Sequence, residues 1–181
     1  MKTNSTRTIV MTGMMVALVT VGTFINIPTP GNIGGLVHLG TLITFAIAIK
    51  YGPKYGAIAG GIGAMIFDIY FIYLLWAPAT LLIRLLMGYV VGSIAHYKLK
   101  EGKDSLFNFI ALTVGGVIIV VGYFLFQSFI LGLMGETNGD YYGVSAALIS
   151  IPGNVIQYLI GLLALVLVKY LPELEKSKKA M

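Results

Sequence analysis

The chain is divided into six long apolar segments by short breaks rich in charge, proline or glycine. A run of about 20 apolar residues can cross a bilayer as an α-helix, which satisfies its backbone hydrogen bonds internally. Only 10 % of the residues are charged, against roughly 25 % in a soluble domain, too few to cover a water-soluble globule. We therefore expect an all-α integral membrane protein with a single domain, residues 1–181. Its six transmembrane helices are predicted at residues 8–26, 36–49, 55–73, 79–96, 106–134 and 144–171.

The basic residues all fall on one side of this six-helix arrangement, with the exception of Arg84 inside the fourth helix. The three loops on the opposite side contain no Lys or Arg. This is the asymmetry of the positive-inside rule, so we expect both termini in the cytoplasm. The net charge of +5 then orients the protein in the bilayer and does not indicate a nucleic-acid partner. The residues concerned are Lys2, Arg7, Lys50, Lys54, Lys98, Lys100, Lys103, Lys169, Lys176, Lys178 and Lys179.

Asp68 and Arg84 are the two clear ionisable residues inside the predicted helices. A charged side chain in a transmembrane helix costs about 2.5–3.5 kcal/mol on insertion scales, so such a residue is a functional candidate. With a rise of ~1.5 Å per residue, both lie roughly 8–9 Å below the outer surface on consecutive antiparallel helices, where they can pair. The pair either holds the two helices together or contacts a ligand beside it, and the two interpretations are compatible.

Further polar residues fall at the same depth near the outer face. A single buried amide is often only a helix–helix hydrogen bond, and a lone tryptophan is typical of the interfacial belt. Polar groups from five of the six helices in one layer, however, indicate a ligand pocket that opens to the outside. Its predicted lining residues are His38, Asp68, Trp76, Arg84, Gln127, Asn154, Gln157 and Tyr158.

The second predicted helix is short, and an uncharged Pro/Gly-rich loop precedes it. Its 14 residues, 36–49, give roughly 21 Å of helix against ~30 Å of hydrocarbon. A short segment interrupted by Gly or Pro points to a binding site in transporters, and the preceding loop is long enough to fold over a pocket. The alternative is a tilted helix that thins the bilayer locally.

Small residues recur at every fourth position on one face of the third helix and one face of the fourth. Such stripes let helix backbones approach closely, so Asp68 and Arg84 are expected to face protein and not lipid. Gly13 and Ala17 form a similar stripe on the inner half of the first helix, interpreted as a packing surface or as the contact for a membrane partner. The longer stripes are Gly56, Gly60, Ala64 and Asp68, and Arg84, Gly88 and Gly92.

Motifs for catalysis and nucleotide binding are missing from the sequence. There is no cysteine, no phosphate-binding G-x-x-x-x-G-K-[ST] loop, no His/Glu metal set and no Ser-His-Asp set. We therefore expect no catalytic residue, no metal and no cofactor. Uphill transport by such a chain requires an ion gradient or a partner protein.

Four segments resemble one known family. Over residues 7–170 the chain is similar to the substrate-binding S components of energy-coupling factor (ECF) vitamin transporters. The similarity is to the group loosely named for riboflavin, which also holds proteins assigned to hydroxymethylpyrimidine and pyridoxine. The segments are Ile27-Pro-Thr-Pro-Gly31, Val37-His-Leu-Gly40, Tyr51-Gly-Pro-Lys-Tyr-Gly-Ala-Ile-Ala-Gly-Gly-Ile-Gly63 and Trp76-Ala-Pro-Ala-Thr80.

This resemblance implies a multi-pass protein of a bacterial plasma membrane that captures a small B-group vitamin or precursor, hydroxymethylpyrimidine or pyridoxine-like, from outside. It would dock on a transmembrane coupling subunit, the T component, which carries two ABC-type ATPases. The family contacts that subunit through Ala-x-x-x-Ala on the first helix, and the matching positions here are Gly13 and Ala17. Riboflavin in the same role, a stand-alone carrier and a structural membrane protein are the alternatives.

Overall fold

The computed structural model describes residues 5–26, 37–71, 73–134 and 143–172. These residues form helices joined by short connections, and a short 3₁₀ helix, Tyr97–Leu99, follows the fourth. The first prolyl loop, with its segment Ile27–Gly31, and the charged tail after Pro172 lie outside the described residues, so the expectation that this loop covers a pocket remains a prediction. The helices are α1 (Ser5–Phe24), α2 (Gly40–Tyr51), α3 (Pro53–Tyr70), α4 (Ala77–Ala95), α5 (Ser105–Met134), α6 (Gly143–Gly161) and α7 (Ala164–Leu167).

Four helical segments are long and apolar enough to cross a membrane, and α2 is a shorter apolar helix. The all-helical class is therefore confirmed for the residues described. The count of six spans and the side on which the termini lie remain predictions. The four segments are Thr6–Phe24, Ala77–Ala95, Ser105–Ile130 and Gly143–Leu167.

The sixth predicted helix, residues 144–171, is not continuous. Helix α6 ends at Gly161 and α7 resumes at Ala164. Between them the N–H of Leu163 donates to the carbonyl three residues earlier (3.1 Å), as in a 3₁₀ turn. The break falls where the chain passes close to α2, because a β-carbon at Gly161 would lie 2.8 Å from the ring of Phe45.

Helix α2 lies at the centre of the bundle. It packs against α1, α3, α4 and α6, and its side chains from Thr44 to Ile49 are all buried. Phe45 and Ile49 belong to the main apolar core, together with Met87 of α4 and Leu112 of α5. The helix begins four residues later than the predicted start at residue 36 and is only 12 residues long. Because protein surrounds it, α2 does not need the length of a lipid-facing span.

Helices α3 and α4 pack at backbone contact. A β-carbon at Gly88 would collide with the backbone of Gly56, and one at Gly92 would meet the backbone of Pro53 at 2.5 Å. The close approach expected from the small-residue stripes is therefore confirmed. It turns Asp68 and Arg84 into the protein, where they are 8 % and 2 % exposed.

The ends of several helices meet in a basic cleft at one end of the bundle. Lys50 at the end of α2, Lys103 before α5 and Lys169 after α7 line this cleft. Asp104 caps α5 there, since its Oδ1 accepts hydrogen bonds from the N–H groups of Leu106 (3.0 Å) and Phe107 (3.1 Å). The hydrogen bond from Lys100, together with these backbone donors, holds the pKa of Asp104 below its ordinary value.

Candidate functional site

A cavity of about 310 Å³ lies at the end of the bundle opposite the basic cleft. It is enclosed by the chain entering α2, the end of α3, the start of α4, the second half of α5 and the middle of α6. Helix α1 contributes Thr23 near its own end. The lining residues are Thr23, His38, Ala64, Phe67, Asp68, Tyr73, Trp76, Thr80, Arg84, Tyr123, Gln127, Ser150, Asn154 and Gln157.

The structure brings seven of the eight sequence-predicted site residues together around this cavity, although no contact with a ligand is thereby established. The eighth, Tyr158, lies elsewhere. Its hydroxyl is 3.2 Å from that of Thr113, its ring lies against Gly116, and it packs on the apolar core. The seven are His38, Asp68, Trp76, Arg84, Gln127, Asn154 and Gln157.

The guanidinium of Arg84 is held by groups from three other parts of the chain. Nη1 donates to the hydroxyl of Thr41, and Nε donates to the hydroxyl of Tyr123 (3.3 Å). Nη2 lies 3.3 Å from Nε2 of His38. The planar fork of an arginine suits such divergent partners, so the positive charge is fixed at one place in the cavity wall.

His38 joins the chain entering α2 to α4 and α6. The N–H of Gly40 donates to its Nδ1 (3.1 Å), and the backbone of His38 bridges that of Asn26 after α1. The other ring nitrogen, Nε2, lies 3.1 Å from the side-chain amide nitrogen of Gln157. The same amide donates to Thr41, so the start of α2 is bound into the cavity wall.

The expected direct ion pair between Asp68 and Arg84 is replaced by a chain of hydroxyl groups. Nε of Arg84 donates to Tyr123, and the hydroxyl of Tyr123 donates to Oγ1 of Thr80 at 3.2 Å. Thr80 lies beside the carboxyl of Asp68 in the cavity wall. Among the described residues, one carboxyl oxygen of Asp68, Oδ2, is buried and has no hydrogen-bond partner.

The two sides of the cavity differ in chemistry. Phe67 of α3 and Tyr73 and Trp76 of the turn before α4 supply aromatic rings, and the indole of Trp76 lies edge-on to Phe126 at 5.5 Å between ring centroids. Gln127 and Asn154 supply amides from α5 and α6, with the hydroxyl of Ser150 donating to Oε1 of Gln127. Such a cavity suits a flat ring with polar groups on its edge.

Three of the polar cavity residues that escaped prediction have a signal in the sequence. Thr80, Tyr123 and Ser150 each lie four residues before a predicted site residue, namely Arg84, Gln127 and Asn154. Residues four apart share one face of a helix, so extending each predicted position by one turn finds them. Phe67 and Thr23 give no such signal, because they look like ordinary core and helix residues.

Residues 3–173 match the family described as ECF-type riboflavin transporter, S component. The chain belongs to this family. The chain is 32 % identical over 127 residues to a UPF0397 protein of Streptococcus thermophilus (strain ATCC BAA-491 / LMD-9), and the match covers 68 % of each chain. It is also 30 % identical over 99 residues to an uncharacterised protein in the gap 3' region of Pyrococcus woesei.

That second match covers 55 % of this chain and 63 % of the Pyrococcus woesei protein, so the chain spans less than two thirds of that relative's length. The matched family is one of transporter components. The resemblance recognised in the sequence is thus confirmed at the level of the family.

Proposed function

We propose that the protein is the substrate-capture subunit of an ATP-driven ECF-type importer and binds a small B-group vitamin or precursor from the outside. The observation that carries this proposal is the cavity, which combines a buried arginine, a buried aspartate, amides and aromatic rings in a family of transporter components. Polar groups buried in a membrane domain are costly, so their concentration at one place supports a binding role.

The opening of the cavity faces outward in this proposal. The cleft at the other end of the bundle contains Lys50, Lys103 and Lys169, and basic residues accumulate on the cytoplasmic side of membrane proteins. The lysine-bearing helix ends therefore lie at the cytoplasmic face of the membrane, and the cavity lies at the external face. Both termini are then cytoplasmic in a six-span arrangement.

The substrate is a hydroxymethylpyrimidine or pyridoxine-like ring, with riboflavin as the alternative in the same role. A single aromatic ring fits between the aromatic side of the cavity, with Phe67 and Trp76, and the amides of Gln127 and Asn154. In this arrangement the rings contribute stacking and the amides bind hydroxyl and ring-nitrogen groups.

The intrinsic tryptophan fluorescence should change when a ligand binds, because Trp76 is the single tryptophan and lines the cavity. Purified protein would be titrated with hydroxymethylpyrimidine, pyridoxine and riboflavin while the intrinsic fluorescence is followed, and co-purified small molecules would be identified by mass spectrometry. We expect saturable binding of one of these compounds and loss of the signal in Trp76→Phe. If the protein binds none of these compounds and no small molecule co-purifies with it, the result would favour a structural membrane protein instead.

Transport energy comes from partners in this proposal, namely a transmembrane coupling subunit and two ABC-type ATPases. Gly13 and Ala17 on α1 form the docking contact. Both residues are exposed, nothing lies within 4 Å of a β-carbon at Gly13, and the neighbouring Met14 is 68 % exposed. Small residues on an exposed helix face permit close approach of a partner helix. Uptake by the protein alone in vesicles would favour the stand-alone carrier instead.

A further inference from the structure

Asp68 is the one carboxylate among the described residues that line the cavity. Its side chain is more than nine-tenths buried, and its Oδ2 has no hydrogen-bond partner in the described part of the chain. A buried acceptor without a donor is costly, so the great majority of such atoms in folded proteins are paired. An unpaired carboxyl oxygen on a cavity wall therefore points to a donor that arrives with a ligand.

The hydroxyl chain around Asp68 fixes the direction of the hydrogen bonds. Tyr123 accepts from Arg84, so its own proton goes to Thr80. Thr80 accepts the hydrogen bond from Tyr123, which leaves its own single proton for another acceptor. Oδ2 of Asp68 remains an acceptor for the cavity, because no donor in the described part of the chain reaches it.

We propose that Asp68 determines specificity by accepting a hydrogen bond from a ring-edge N–H of the ligand, an amino group or a protonated or imide ring nitrogen. This inference rests on the proposed function and names the chemical group that the capture site selects. Hydrogen bonds to a charged acceptor are roughly twice as strong as neutral ones, which makes this contact the one with the most discrimination in the cavity. Ligands whose ring edge offers only acceptors leave Oδ2 unpaired and bind weakly.

Matched pairs of compounds test this inference on the unmodified protein. The first pair is 4-amino-5-hydroxymethyl-2-methylpyrimidine and its analogue with hydrogen in place of the amino group. The second pair is riboflavin and 3-methylriboflavin, which lacks the imide N–H. Binding is followed by the fluorescence of Trp76, with calorimetry as a second readout. For the parent compound that binds, we expect the analogue to bind about 10- to 100-fold more weakly.

The variant Asp68→Asn supplies the second arm. Its amide is uncharged and has an NH2 donor in place of one of the two acceptor oxygens, so the hydrogen bond to the ligand weakens and the parent compound should lose about 10- to 100-fold in affinity. The difference between parent and analogue should shrink at the same time. Asp104→Asn is the matched control, because it makes the same chemical change at the cap of α5, outside the cavity, and should leave affinity unchanged.

The outcomes separate this inference from the proposed function. Equal affinity for parent and analogue, or an unchanged affinity in Asp68→Asn, overturns the role of Asp68 while the capture function stands. If no parent compound binds and nothing co-purifies, the capture function fails, and the inference fails with it. If Asp68→Asn does not fold, the matched compounds on the unmodified protein still decide the question.

Discussion

At the scale of single residues, Gly40 shows how closely the cavity depends on backbone position. It begins α2, and its N–H donates to His38. A β-carbon there would collide with the hydroxyl of Thr23 and lie about 3.0 Å from the ring of His38. Since both neighbours line the cavity, the absence of a side chain at Gly40 sets the spacing between α1 and the start of α2.

Gly40→Ala is therefore expected to weaken both folding and ligand binding. Overpacking of this kind typically costs 1–3 kcal/mol, because side chains or backbone must shift. Thermal unfolding in detergent measures the first effect, and titration through Trp76 measures the second. Gly132→Ala is the control, since nothing lies within 4 Å of a β-carbon at that exposed position of α5. Equal losses in both variants would show that the effect is not local to the cavity.

Arg84→Lys is expected to behave as a severe change despite the conserved charge. A lysine ammonium cannot reach Thr41, Tyr123 and His38 from one position, because it lacks the planar fork. We expect lower thermal stability and at least about 10-fold weaker ligand binding. Arg7→Lys, at an exposed position near the start of α1, is the matched control and should be silent. Parent-like affinity in Arg84→Lys would contradict the hydrogen-bonding role assigned to the guanidinium.

Helix geometry explains which of the predicted residues line the cavity and which do not. Buried polar side chains such as Gln157 stand out in an apolar sequence, so the cavity residues were recognisable. Tyr158 was added as its neighbour, but successive residues are rotated by about 100° around a helix, which turns Tyr158 toward Thr113. The hydroxyl chain from Tyr123 to Thr80 depends on how α4 and α5 pack, which depth along a span does not specify.

At the scale of helices, α1 has the most exposed apolar face that also contains small residues. Met14, Leu18 and Val21 flank Gly13 and Ala17 there, and they are exposed. The opposite face packs on α3, with the hydroxyl of Thr20 donating to the carbonyl of Gly63 at 3.0 Å. The division of α1 into a packed face and a free face suits a helix that serves both its own bundle and a partner.

Bulky substitutions on the free face should separate binding from transport. We expect Gly13→Leu combined with Ala17→Leu to leave ligand affinity in detergent unchanged and to abolish uptake in vesicles that contain the complete transporter. The matched control is Val117→Leu combined with Val121→Leu, which adds bulk at the same spacing on exposed positions of α5. Loss of ligand binding in the α1 variant would show that Gly13 and Ala17 form an internal packing surface. Intact uptake would show that the partner docks elsewhere on the bundle.

At the scale of the whole molecule, the cavity and the basic cleft occupy opposite ends of the bundle. The positions of the lysines in the sequence predicted this arrangement, because lysines accumulate in the helix connections on one side of the bundle. Sequence did not predict that α2 lies in the centre of the bundle, since hydropathy measures how apolar a segment is and not whether protein or lipid surrounds it. The break after Gly161, where the chain lies against Phe45 of α2, was missed because hydropathy does not report such a close approach.

The orientation is open to a direct test, because the chain contains no cysteine. Single cysteines would be placed at Leu74, between α3 and α4, and at Tyr97, after α4, which are 59 % and 52 % exposed. A membrane-impermeant maleimide should label Leu74→Cys in intact cells and Tyr97→Cys only after permeabilisation. The reverse pattern would place the cavity on the cytoplasmic side and contradict capture from outside.

The short central helix has a consequence for how the protein matures in the bilayer. At 12 residues, α2 provides roughly 18 Å of helix, well below the ~30 Å of a hydrocarbon layer. Such a segment has no stable depth of its own in lipid, so its neighbours have to hold it in place. We therefore expect the cavity beside the start of α2 to form only after the longer helices have associated.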